Sequence, residues 1–176
     1  MMTRAAAPRL FIVGLILAAL AACDAAPIRS SAPGGKGFQA QYSAARDALE
    51  AKRYARAISG YQKLLPASGA LSNRVRIELA HSHLRANQFA DASRVAAQVA
   101  TSASGQDRAA ALAVQGTADH ERALAALAAG DSAGGKALLE RANTALSFVV
   151  ADHPSLDPLG GLAGRKASIA VRLRGL

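Results

Sequence analysis

The sequence has no tryptophan, a single cysteine, three tyrosines and four phenylalanines among its 176 residues. One cysteine cannot pair within the chain, so a disulfide-stapled fold is excluded. The scarcity of aromatic residues argues against a β-sandwich or barrel, whose strands favour aromatic and β-branched side chains. Acids are also few: 12 Asp and Glu stand against 21 Lys and Arg, a formal net charge of +9. What is abundant is alanine, with 45 residues, about a quarter of the chain. Alanine has the highest helix propensity and lets helices approach closely, so the expected fold class is all-α. A hydrophobic content of 51% excludes disorder throughout. The length suits one ordinary domain.

The start of the chain reads as an export signal. Arg4 and Arg9 precede an uncharged apolar run, Leu10 to Leu20. A membrane-spanning helix needs about 20 apolar residues, whereas a signal-peptide core needs roughly 7–15. The eleven residues here fit the second. Leu20-Ala21-Ala22-Cys23 resembles the lipobox of bacterial lipoproteins. That resemblance implies a signal peptide over 1–22, a diacylglyceryl group on the Cys23 thiol, and a mature chain tethered to a bacterial membrane and facing the periplasm. Asp24 resembles the inner-membrane retention signal of enteric bacteria, and the choice between inner and outer membrane stays open. Residues 23–37, with two Pro, three Gly and two Ser after Cys23, read as a flexible spacer.

From Phe38 onward the apolar spacing is helical and repeats. A shift of 35 residues lays Ala45 on Ala80, Leu49 on Leu84, Tyr54 on Phe89, Ala57 on Ala92 and Leu64 on Val99. Each unit divides into two helices, predicted at about Gln39–Lys52 and Ala55–Leu65, then Asn73–Ala86 and Phe89–Thr101. The small residues permit close helix crossing, and the aromatic at each turn fills the wedge beside it. This helix–turn–helix unit resembles the tetratricopeptide repeat (TPR), whose period is 34. It departs from that pattern in lacking a large residue early in the first helix and in the early position of Pro66. A third unit is predicted at Asp107–Ala129 and Lys136–Ala151. Gly130-Asp131 breaks the helix there, and Ser132 to Gly135 form the turn. Ser155 to Gly164 read as a loop, and a last helix spans about Arg165–Leu173. Leu162, just before it, and its Ile169 and Leu173 cover the open end, as a repeat stack requires. The expected architecture over 38–176 is a short right-handed α-solenoid of about three TPR-like pairs with a C-terminal capping helix.

Catalytic chemistry is sparse. His81 and His83 are two residues apart, which points them about 200° apart on a helix and prevents a shared metal. No H-E-x-x-H, C-x-x-C or phosphate loop is present, and Gly34 to Gly37 lack the spacing of one. No enzyme activity, metal or cofactor is expected. The basic charge would ordinarily suggest nucleic acid. Export removes that partner, and the basic residues carry no interleaved aromatics.

The TPR resemblance implies a concave groove lined by the first helix of each pair. Here that groove comprises Tyr42, Arg46, Leu49 and Glu50, with Arg74, Ile77, His81, Leu84 and Arg85. Such a mixed apolar and basic surface suits an amphipathic or acidic peptide. The expected function is a membrane-tethered, non-enzymatic adaptor that binds envelope proteins during assembly of a pilus or secretion system, as in Tad/Flp-type machinery. The alternative is a module binding cell-wall or other anionic polymers through Arg165, Lys166, Arg172 and Arg174.

Overall fold

A computed structural model describes residues 35–176. The expected leader, the expected lipidation site Cys23 and most of the expected spacer lie outside the described residues. The described residues form seven α-helices: α1 (Lys36–Glu50), α2 (Tyr54–Leu64), α3 (Ser72–Arg85), α4 (Phe89–Ser102), α5 (Gly105–Ala128), α6 (Ser132–Asp152) and α7 (Gly161–Arg174). Two short 3₁₀ turns, Leu65–Ala67 and Gly69–Leu71, join α2 to α3, and a third, Pro154–Leu156, precedes α7. Among the described residues there is no strand.

Each helix packs against its neighbour in sequence, α3 also meets α5, and α5 also meets α7. The core forms two clusters. The first joins Ala45, Ala57, Tyr61, Leu64, Val75, Leu79, Ala80 and Val95 from α1 to α4. The second joins Ala123, Leu139, Ala142, Leu146 and Ile169 from α5 to α7. The 35-residue register is visible in burial. Ala45 and Ala80, Ala57 and Ala92, and Leu64 and Val99 are all buried. Small residues set the crossings: a Cβ on Gly60 would lie 2.8 Å from the Ala45 Cβ, so only glycine lets α2 lie this close to α1.

Three expectations need correction. The first helix starts at Lys36, inside the stretch read as spacer, because the Gly35 carbonyl accepts from the Phe38 and Gln39 amides. Ser132 to Gly135 are the first turn of α6, not a connecting loop. The Asp131 carboxylate caps this turn by accepting from the Gly134 amide at 2.8 Å. Gly135 then packs under Leu127, where a Cβ would come within 2.6 Å. Finally, α7 starts at Gly161, four residues before the expected position, since the Asp157 carboxylate accepts from the Leu162 and Ala163 amides at 2.9 and 2.8 Å. Leu162, Ile169 and Leu173 do pack into the second cluster as the inner face of α7.

Candidate functional site

α1 presents Tyr42, Arg46, Leu49 and Glu50 at helical spacing, and α3 presents Arg74, Ile77, His81, Leu84 and Arg85 in the same way. Between the two helices, Tyr42 and Arg46 of α1 and Arg74 of α3 converge on Glu78. This side chain is only 12% exposed. Its Oε1 accepts from the Tyr42 hydroxyl at 3.2 Å. Arg74 Nη2 lies 3.2 Å and Arg46 Nη1 3.7 Å from the same oxygen. Arg74 Nε donates to the Tyr42 hydroxyl at 3.4 Å, and Arg46 Nε donates to Glu50 Oε1 at 3.0 Å.

The aromatic groups beneath hold Tyr42 in place. Its ring stacks on Phe38, with centroids 6.4 Å apart, and meets Tyr61 edge-on at 5.8 Å. Tyr61 is fully buried, and its hydroxyl has no hydrogen-bond partner among the described residues. Burial, reinforced by the negative charge of Glu78, pushes that hydroxyl's ionisation far up, so it stays protonated. His81 is half-buried, and burial presses its pKa below the ordinary value. The positive Arg85 and Arg46 add to this shift, and Glu78 opposes it.

The sequence-predicted residues therefore divide. Tyr42, Arg46 and Arg74 come together in one hydrogen-bonded cluster, and His81 feels the charge of its members. Leu49 is partly buried against the first core cluster. Ile77 and Leu84 are partly buried, and Arg85 is exposed. No acid stands within ion-pair distance of Arg85 among the described residues. Glu78, the acid at the centre, is the residue that sequence reasoning missed. Its spacing of four from Arg74 was the available signal. It neutralises much of the charge the sequence places here, and of the three expected groove arginines only Arg85 lacks an ion pair among the described residues.

Two further polar clusters tie helices together. Asp119 on α5 is fully buried and accepts from Ser93 of α4 and from Arg141 of α6. Arg165 of α7 donates to His120 Nδ1 at 2.8 Å and to Glu121 Oε1 at 2.6 Å. Of the four basic residues proposed for polymer binding, Arg165 is thus engaged in the fold. Lys166, Arg172 and Arg174 make no ion pair among the described residues. No group of three or more His, Cys, Asp and Glu that could hold a metal is found among the described residues. No helix there is long and apolar enough to cross a membrane. Comparison with protein-family models, with curated proteins and with solved structures finds no match.

Proposed function

We propose that this chain is a lipid-anchored adaptor of the bacterial envelope. Its TPR-like helix pairs bind an acidic or amphipathic peptide segment of a partner protein along the α1/α3 face. The assembly it serves is a pilus or secretion system of the Tad/Flp type. The observation that carries this reading is the Tyr42–Glu78 bond joining α1 to α3, the helices whose Leu49, Ile77 and Leu84 are partly buried and whose Arg85 is exposed with no ion-pair partner among the described residues. Helices α1, α3 and α5 are the first members of the three pairs. The Tyr42–Glu78 bond links α1 to α3, and α3 packs on α5. Those contacts favour a repeat stack.

Two experiments test the proposal. Mass spectrometry of the native protein should find diacylglycerol on Cys23, and an unmodified Cys23 refutes the anchor. Affinity capture from detergent-solubilised native membranes should then recover a defined envelope protein that Arg46→Glu with Arg85→Glu abolishes. Arg46 contributes to the Glu78 cluster, so Arg85→Glu alone serves as the variant that leaves the fold intact. Undiminished capture by both variants removes the α1/α3 face from the reading. The alternative, an anionic-polymer module, draws on Lys166, Arg172 and Arg174, which make no ion pair among the described residues and lie in a stretch with no acid after Asp157. Polymer binding lost in Arg172→Glu with Arg174→Glu would favour it.

A further inference from the structure

The positive charge of the described residues is concentrated at two ends. Residues 35–64 hold six Lys and Arg against two acids, a net +4. Residues 158–176 hold four Lys and Arg and no acid, also +4. The stretch between, with eight bases and nine acids, is net −1. Only the first of these basic ends adjoins the tether. Twelve residues lie between Cys23 and Lys36, a contour of at most about 45 Å at 3.3–3.6 Å per residue.

That end also carries an open cleft of about 400 Å³ between α1 and α2. Ala44, Ala45 and Gly60 form its apolar floor, and the tight Gly60–Ala45 crossing keeps side chains out of it. Arg56, Ser59 and Lys63 line it from α2, and Gln41 faces them from α1. Arg56 and Lys63 are seven residues apart, two turns along one helix face. Both are exposed, and neither is paired with an acid among the described residues. Asp47 follows Ala44 by one helical turn and is not part of the lining. The lining thus offers two cations, a hydroxyl and an amide above a small apolar floor, with no acid among them.

We infer that this cleft takes the phosphodiester headgroup of an anionic phospholipid in the membrane that holds the anchor. The inference rests on the lipoprotein reading above. Arg56 and Lys63 meet the phosphate, Ser59 and Gln41 donate to its oxygens or to the glycerol, and the alanine floor accepts the start of the acyl chains. A lipid anchor and a basic patch together hold a protein to a membrane more stably than one signal alone. Docking through α1 and α2 would leave the α1/α3 face to a partner.

The test is partition of the mature chain, residues 23–176 carrying Cys23→Ser, onto phosphatidylcholine vesicles with and without phosphatidylglycerol. With the acyl group and the apolar Leu10–Leu20 run both absent, selectivity for the anionic lipid reports the basic surface alone. At roughly 1 kcal/mol per basic residue at an anionic surface, the expected preference for the phosphatidylglycerol vesicles is about tenfold or more. High salt should reduce it. Arg56→Glu with Lys63→Glu should abolish it, and Arg172→Glu with Arg174→Glu should leave most of it. Equal partition onto both vesicles overturns the inference. So does a preference lost in the α7 variant and kept in the cleft variant. Mass spectrometry of native Cys23 separates the two ideas. Anionic-lipid selectivity with an unmodified cysteine would refute the anchor but not the cleft, and an acylated cysteine without selectivity would refute the cleft alone.

Discussion

Asp119 is 0% exposed, and a carboxylate without water needs donors from elsewhere in the fold. It receives them from three helices. Ser93 Oγ donates at 2.6 Å, Arg122 Nη1 at 3.1 Å, and Arg141 through Nε and Nη2 at 2.6 and 2.8 Å. The two Arg141 bonds form a fork, the strong geometry for an arginine–carboxylate pair. Removing one partner of a buried ion pair costs about 3–5 kcal/mol. Arg141 is half-exposed, so water can solvate it once Asp119 is gone, and the cost falls toward the lower limit. Asp119→Ala should therefore destabilise the chain by about 3 kcal/mol in urea unfolding, with α4 and α6 losing protection first. A loss below about 1 kcal/mol would place this cluster among ordinary surface pairs. These acids also mark the limit of what the sequence makes visible. Arg122 at i+3 from Asp119, and Arg74 at i−4 from Glu78, can be read from helical spacing. Arg141 and Tyr42 cannot, since they stand 22 and 36 residues from the acids they bind.

The turns within the three helix pairs share one geometry. After α1, the Lys52 amide donates to the Leu49 carbonyl and the Arg53 amide to Ala48. After α3, Asn87 bonds to Leu84 and Gln88 to His83. After α5, Gly130 bonds to Leu127 and Asp131 to Ala126. This is the Schellman cap, and it needs a left-handed residue at its centre. Lys52, Asn87 and Gly130 fill that place with φ of 60°, 59° and 84°. Lysine is the least suited of the three, because its Cβ crowds the carbonyl there. Lys52→Gly should stabilise the chain by about 0.5–1 kcal/mol, and Gly130→Ala should cost about 1 kcal/mol. Both are read as shifts in the thermal midpoint, and a lower midpoint for Lys52→Gly would contradict this account. The first two turns lie 35 residues apart, the interval that the sequence repeat shows. Tyr54 and Phe89 are the first residues of α2 and α4, Tyr54 one position ahead of the predicted helix start and Phe89 at it. The starts of α6 and α7 were hidden because glycine reads as a breaker. Asp131 and Asp157 supply caps to amides just ahead in the chain, and the packing of Gly135 under Leu127 exists only in three dimensions.

At the scale of the whole molecule, α7 closes the second core cluster, and one polar contact helps to hold it on α5. His120 is 6% exposed, and its Nδ1 accepts from Arg165, so its proton sits on Nε2, which has no partner. Burial is the main force pressing its pKa below 6.5, followed by the positive Arg165 and, more weakly, Arg172. Glu121 opposes them. The folded chain therefore keeps this imidazole neutral where the unfolded chain takes up a proton. The unfolded state binds more protons, so stability is present above pH 6.5 and is lost as pH falls through the folded pKa. Protonation also turns the acceptor of Arg165 into a second cation beside it. His81 on α3 has the same sign, with burial again the first cause. Lowering the pH from about 7.5 to about 5.5 should reduce unfolding free energy by up to about 1.4 kcal/mol per unit of pKa depression. His120→Gln should flatten that dependence, and adding His81→Gln should flatten it further. Hydrogen exchange distinguishes the two sites. In the wild type, α7 amides should lose protection on acidification, and in His120→Gln their protection should no longer follow pH. A pH dependence that survives the double variant, or α7 protection that ignores pH in the wild type, would show that α7 is held by Leu162, Ile169 and Leu173 alone.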